Sequence, residues 1–107
     1  MTNLKINILN YEDNSNPGWV KCSFKDIFSK EWNLVEKVPV VTEEYLDENS
    51  DYPAPGLLEC EIVSKRPNID NESVFTIDIS NTYVLNVDYS KVLVDVFEHQ
   101  LVQQRFL

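Results

Sequence analysis

The sequence predicts an all-β protein, a small and mainly antiparallel barrel or sandwich of about six or seven strands. Side chains branched at Cβ, which suit a pleated sheet, are abundant, whereas Ala54 is the only alanine among the 107 residues. Apolar and polar residues alternate in short segments that turn-forming residues separate at a regular rhythm. No repeat, low-complexity tract or linker interrupts them, so we expect residues 1–107 to form a single domain.

The first three strands are predicted over residues 2–10, 19–24 and 31–38. The first follows from alternating apolar residues, and a polar loop at 12–18 separates it from a hairpin of the next two. We expect the hairpin to turn six side chains inward: Val20, Cys22, Phe24, Trp32, Leu34 and Val38. Trp19 should also pack against the hairpin. At the tip, Ile27 and Phe28 either fold back to plug the barrel end, which we favour, or stay exposed as anchors for a partner.

The middle of the chain is predicted to leave the sheet. Pro39 cannot donate to a ladder, so residues 38–41 should lie at a strand end or an edge. Thr42 is a candidate helix N-cap, and the acidic residues after it favour at most a short helical turn near residues 43–47. The residues from 47 to 56 are typical of a loop.

Four more strands are predicted after this loop, around residues 58–62 and over 73–80, 83–87 and 91–98. Alternation places Leu58, Cys60 and Ile62 on the inward face, and residues 66–72 are expected to form a polar loop. The tail, residues 99–107, is compatible with either extended chain or a helical turn.

Charge narrows the classes of partner. The chain has 18 acidic residues against 9 Lys and Arg, a net charge of −9 and a pI near 4.4. A nucleic-acid partner is not expected, because neutralising phosphates requires a basic face. The longest apolar run, residues 38–41, is far too short to span a membrane, and the first residues lack the apolar segment of a signal peptide. We therefore expect a cytoplasmic protein.

No catalytic, metal or cofactor site is predicted. Cys22 and Cys60 should be buried free thiols, and with His99, the single histidine, they provide too few ligands for zinc. Neither cysteine lies in a nucleophile motif, and His99 is expected on the surface. Gly18 and Gly56 are the only glycines, which excludes a glycine-rich phosphate loop.

The candidate partner-binding site is the acidic loop in the middle of the chain. Aromatic residues interleave its carboxylates, a pattern typical of a docking surface for a basic partner. The predicted site residues are Glu43, Glu44, Tyr45, Asp47, Glu48, Asp51 and Tyr52. The alternative is a solvated loop without a binding role. Asp47, Asn49 and Asp51 imitate the start of a calcium loop, but Tyr52 and Leu58 replace the glycine and glutamate that such a loop requires.

Four motifs resemble a group of small bacterial cytosolic proteins without an assigned function. They are GWVxC at residues 18–22, EKVPVVT at 36–42, YPxPG at 52–56 and CE at 60–61. The resemblance implies no catalytic residues. It implies a glycine turn near residue 29, where this chain has Ser29. In size, charge and compartment the chain is also similar to immunity proteins of bacterial toxin systems, which bind and neutralise toxins, many of them basic nucleases.

Two functions therefore compete. The sequence favours a non-catalytic binding protein, an immunity-type inhibitor that neutralises a basic toxin through its acidic surface. The alternative is a small β-barrel enzyme or ligand-binding domain whose site is assembled from residues distant in sequence. A deep polar pocket holding His99 and a perturbed carboxylate would favour the second function. The oligomeric state cannot be derived from the sequence.

Overall fold

The computed structural model describes residues 2–15, 18–85, 87 and 91–103, and it confirms the all-β prediction. The described elements, in chain order, are β1 (Thr2–Asp13), β2 (Trp19–Lys25), β3 (Glu31–Lys37), α1 (Val38–Val41), β4 (Ala54–Ile69), β5 (Glu72–Asp78), β6 (Tyr83–Val84), β7 (Leu93–Phe97), the 3₁₀ turn Glu98–Gln100 and β8 (Leu101–Gln103). Residues 16 and 17 of the predicted loop 12–18, residue 86 of the predicted sixth strand and residues 104–107 of the tail lie outside the described residues.

The strands form one antiparallel sheet that curves into an open half-barrel. Its order is β6-β3-β2-β1-β4-β5-β7, and β8 pairs with β1. The first half of β1 has β4 on one edge and β8 on the other, so Leu4 lies between Leu58 and Leu101. The second half of β1 pairs with β2 and carries two register shifts, which bend a strand and increase its twist. At the far side, the Ile27 N–H donates to the Asp95 carbonyl at 3.1 Å and links the β2–β3 hairpin to β7.

The core lies on the concave face of this sheet, and the predicted alternation of the hairpin is confirmed. All six side chains assigned to its inward face are buried: Val20, Cys22, Phe24, Trp32, Leu34 and Val38. They pack in one cluster with β1 and β7 side chains, including Leu4, Ile8 and Val94. Burial of these apolar side chains is the main force that stabilises the fold.

Asp26 organises the tip of the hairpin. Its carboxylate accepts hydrogen bonds from the Phe28 N–H at 2.8 Å, the Lys30 N–H at 3.0 Å and the indole Nε1–H of Trp32 at 3.0 Å. The favoured prediction that Ile27 and Phe28 plug the barrel end is wrong for Phe28, whose side chain is 76% exposed, whereas Ile27 is half-buried. The hydrogen bonds to Asp26 fix the turn in a conformation that leaves the Phe28 side chain exposed to solvent.

The predicted helical turn near residues 43–47 is wrong. The single helical turn of the segment is α1, Val38–Val41, and Thr42 ends it instead of starting it, because the Thr42 N–H donates to the Val38 carbonyl at 3.1 Å. Pro39 is tolerated there, since the first turn of a helix needs no N–H donor. Val38 and Val41 are buried, so packing overrides the weak helix propensity of valine.

The predicted polar loop at 66–72 is also wrong. β4 continues to Ile69 and pairs with β5, and the turn consists of Asp70 and Asn71 alone. Their φ angles of 51° and 65° are those of a type I′ turn, whose twist matches a two-residue hairpin. Ser29, where the resemblance implied a glycine, likewise has a positive φ of 62°.

The two cysteines are free, as predicted, but only Cys22 is buried; Cys60 is half-buried, which corrects the prediction for this thiol. Cys60 lies where β4 passes from its pairing with β1 to its pairing with β5, and it packs against the edge of the core. Burial raises the pKa of Cys22 to about 12 and that of Cys60 to about 11.

We expect both thiols to react slowly in the native protein near neutral pH, and Cys60 to react faster than Cys22. Only the thiolate attacks a disulfide reagent, so the rate at Cys60 should rise about tenfold per pH unit below its raised pKa. Labelling between pH 7 and 9, with the modified peptides quantified by mass spectrometry, measures both rates. Labelling of Cys22 within seconds at pH 7 and without denaturant would contradict its burial.

Candidate functional site

The predicted acidic loop is exposed in most of its residues. Glu43, Glu44, Glu48 and Asp51 face solvent, and the ring of Tyr45 is 83% exposed. An exposed tyrosine among carboxylates can contribute contact area to a partner without an unfavourable change in the fold. These five residues therefore remain candidates for partner binding.

Asp47 and Tyr52, the other two predicted site residues, instead hold the loop together. The Asp47 carboxylate accepts the Asn49 N–H at 2.9 Å, and the Asp47 N–H donates to Ser50 Oγ at 3.0 Å. The Tyr52 hydroxyl donates to the Asp47 carbonyl at 2.7 Å, and its ring packs against the core with Leu46. Burial raises the pKa of the Tyr52 hydroxyl. Both residues are thus engaged within the loop.

Three concavities meet at α1. The first, the β1–β4 groove of about 810 Å³, is lined by Pro39, Val40, Glu43 and Glu44 together with strand residues. The second, the loop groove of about 530 Å³, shares Pro39, Glu43 and Glu44 with it and extends to Tyr45. The third, of about 380 Å³, lies against Val40 and is named the Glu36 pocket. Val40 lines two of the three and is 49% exposed, so the acidic loop and the Glu36 pocket belong to one surface.

The Glu36 pocket has the most acidic lining of the three concavities. Glu36, Glu59, Glu61 and Asp78 line it together with Thr82. Hydrogen bonds from the hydroxyl and N–H of Ser80 hold the pKa of Asp78 below its usual value, and the Lys91 charge acts in the same direction. Asp78 therefore contributes a negative charge to the pocket at neutral pH.

Sequence reasoning missed all four of these carboxylates. A usable signal existed for Glu36, because the alternation through Trp32, Leu34 and Val38 places it on the inward face of β3. For Glu59, Glu61 and Asp78 no such signal exists. They line the same pocket as Glu36 only because the folded sheet brings β4 and the end of β5 toward the end of β3.

Few Lys or Arg side chains of the protein itself lie on this acidic surface. Of the described residues that line the three concavities, Lys5 is the only Lys or Arg. The single ion pair among the described residues joins His99 Nδ1 to Glu72 Oε1, elsewhere on the protein. His99 is exposed there, stacks on Phe97 with ring centroids 5.6 Å apart and lines none of the three concavities. The exposed carboxylates around α1, those of Glu43, Glu44, Glu59 and Glu61, are therefore available to an external partner.

None of the protein's described helices is long and apolar enough to cross a membrane. Within the same residues, no group of three or more His, Cys, Asp or Glu side chains is placed to hold a metal ion. Comparison with protein-family models, with curated proteins and with solved structures finds no significant match for this chain.

Proposed function

We propose that this chain is a non-catalytic binding protein, an immunity-type inhibitor that acts in the cytoplasm and neutralises a basic toxin by direct binding. The observation that supports this function is the connected acidic surface around α1, whose carboxylates have no ion-pair partner among the described residues. Such a surface attracts a basic protein and accelerates its encounter. A basic nuclease is the toxin class that the chain's likeness to immunity proteins implies.

The competing function, a small enzyme or ligand-binding barrel, required a deep pocket holding His99 beside a perturbed carboxylate. His99 lies instead on the exposed surface next to Glu72. The two carboxylates whose pKa values are lowered lie elsewhere: Asp13 accepts hydrogen bonds from Ser15 at the end of β1, and Asp78 lines the Glu36 pocket. This separation supports the binding protein over the enzyme.

The first test is capture of the partner. The tagged full-length chain, expressed in its native host, should retain a stoichiometric basic protein and suppress that protein's toxicity when the two are co-expressed. If the retained proteins are not basic, or if co-expression leaves toxicity unchanged, the proposed function is wrong.

Once the partner is identified, neutralising the exposed loop should slow its association. The variant E43Q/E44Q/E48Q/D51N is expected to associate about tenfold more slowly in low salt and to lose most of the salt dependence of the rate. Its melting temperature should remain close to that of the wild type, because all four side chains are exposed. Association rates measured by surface plasmon resonance at several salt concentrations provide the readout.

A matched control variant distinguishes an effect of the loop carboxylates from an effect of the protein's net charge. The variant E12Q/E31Q/D70N/E98Q removes the same charge from exposed positions away from the loop and should retain nearly wild-type kinetics. Equal kinetics of the two variants would contradict a role of the loop. If only the control variant associates more slowly, the interface lies on the segments 12–18 and 66–72, which carry the next acidic groups and two of the control positions, Glu12 and Asp70. Substitution of Tyr45, by contrast, is expected to change dissociation more than association.

A further inference from the structure

The tip of the β2–β3 hairpin presents one large apolar side chain to solvent from a fixed turn. Phe28 is exposed, although the Asp26 carboxylate binds its N–H, the Lys30 N–H and the Trp32 indole. The Ser29 N–H also donates to the Asp26 carbonyl at 3.0 Å. A side chain held on a rigid turn loses little conformational freedom when another protein covers it, and aromatic rings are enriched at protein interfaces. Phe28 is therefore suited to anchor a second protein.

The same tip carries positive charge on a protein whose net charge is −9. Lys25 and Lys30 are both exposed, one on each side of Phe28 in the sequence. The Asp26 carboxylate is bound by three donors of the turn itself, so Glu31 is the one other acidic residue of the segment 25–31. A surface that complements this tip is apolar in the middle and acidic at its rim.

The chain itself carries such a surface, the loop groove. Its volume is about 530 Å³, its apolar lining includes Pro39, Tyr45 and Leu46, and the exposed Glu43 and Glu44 lie beside them. The groove adjoins the end of β3, whereas the tip adjoins the start of that strand. The seven residues of β3 rise about 3.3 Å each, which separates tip and groove by roughly 20 Å. A tip therefore meets a loop groove only when a second copy of the chain supplies it.

We propose that two copies of the chain form a closed dimer in which Phe28 of each copy inserts into the loop groove of the other. Lys25 and Lys30 then face Glu43 and Glu44 of the second copy. Because tip and groove lie at opposite ends of β3, two copies related by a twofold axis bring both pairs together. Few side chains make each contact, so the dimer is weak and forms at high protein concentration.

The dimer does not depend on the proposed function, but it bears on it. Glu43, Glu44 and Tyr45 are candidates for binding the basic partner, and the same residues line the loop groove. A second copy and the basic partner therefore compete for this loop.

Sedimentation equilibrium of the full chain, over about a hundredfold range of concentration, should fit a monomer–dimer equilibrium. Phe28→Ala should weaken dimerisation at least about tenfold, because it removes the ring that fills the groove. Ile69→Ala is the matched control. It shortens another exposed apolar side chain, outside tip and groove, and should dimerise within about twofold of the wild type. A chain that stays monomeric, an oligomer that grows beyond two copies, or equal dimerisation of Phe28→Ala and the wild type would overturn the inference.

Exchange of charges between tip and groove tests the pairing directly. E43K/E44K should weaken dimerisation about tenfold, although it lowers the net negative charge and with it the general repulsion between copies. K25E/K30E should weaken it as well. An equal mixture of the two variants should form a heterodimer about as tight as the wild-type dimer, because charges are then complementary at both contacts. All four positions are exposed, so the variants should fold. A mixture that associates no better than either variant alone would overturn the pairing.

The control for the charge changes is E12K/E98K. It alters the net charge as much as E43K/E44K does, at exposed positions that line none of the three concavities, and it should dimerise at least as tightly as the wild type. Weakening equal to that of E43K/E44K would overturn the role of the groove.

The outcomes also separate this inference from the proposed function. If a basic toxin is neutralised but the chain stays monomeric, only the inference fails. If the dimer forms through Phe28 but no basic protein is captured, the proposed function fails and the dimer stands.

Discussion

Replacing Trp32 with alanine is expected to lower the free energy of unfolding by about 3–5 kcal/mol, the range for truncating a large buried aromatic side chain. The indole is 9% exposed, belongs to the core cluster and donates its Nε1–H to Asp26 Oδ2 at 3.0 Å. The Lys30 ammonium lies 4.1 Å from the ring centroid and adds a cation–π contact. Truncation removes these contacts together and leaves a cavity. Urea denaturation followed by circular dichroism measures the loss.

The same hairpin offers a matched control for Trp32. Phe28 is also aromatic but 76% exposed, so its replacement with alanine should change stability by no more than about 0.5 kcal/mol. A loss well under 1 kcal/mol for the Trp32 variant would show that the indole behaves as a surface side chain. It would also make the hairpin a candidate for partner binding.

Leu4 is the second position at which a large effect is expected. Its side chain is fully buried, and its backbone lies between Leu58 of β4 and Leu101 of β8. Leu4→Ala should therefore cost about 2–5 kcal/mol, with the higher values expected if the surrounding strands cannot close the cavity. Leu93→Ala is the control, since Leu93 is 42% exposed on β7, and it should cost less than about 1 kcal/mol. Similar losses in the two variants, measured by the same denaturation, would contradict the central position of Leu4.

Period-2 alternation predicted the inward face of the β2–β3 hairpin correctly, because the apolar residues that alternate along both strands all face the core. The same rule fails in the second half of β4, where every residue from 61 to 69 is exposed. With no buried face there is no alternation to detect, and Pro67 together with Asp70 and Asn71 resembles a loop. That part of β4 pairs with β5 on one edge only. Lys65, the register shift beside Val63 and Pro67 are features that discourage association through such an edge.

The candidate site was predictable only in part, for a reason of topology. The acidic loop is contiguous in sequence, so its exposed carboxylates could be named without a structure. The Glu36 pocket is assembled by β3, β4, the end of β5 and the turn that contains Thr82, and these segments are distant in sequence and come together only in the folded sheet. The sequence did not predict α1, and the reason is a different one. Its valines favour strands, and the burial of Val38 and Val41 outweighs that preference.

The pairing of β1 with β8 has a consequence for the order in which the protein folds. Thr2 lies opposite Gln103, so this ladder closes a loop that contains nearly the whole chain, whereas β2–β3 and β4–β5 are hairpins between neighbouring strands. Closing a long loop costs more chain entropy than closing a short one, and non-local pairings slow the folding of small domains. The hairpins can therefore nucleate early and independently, while the pairing of β1 with β8 becomes favourable only after the strands between them have assembled.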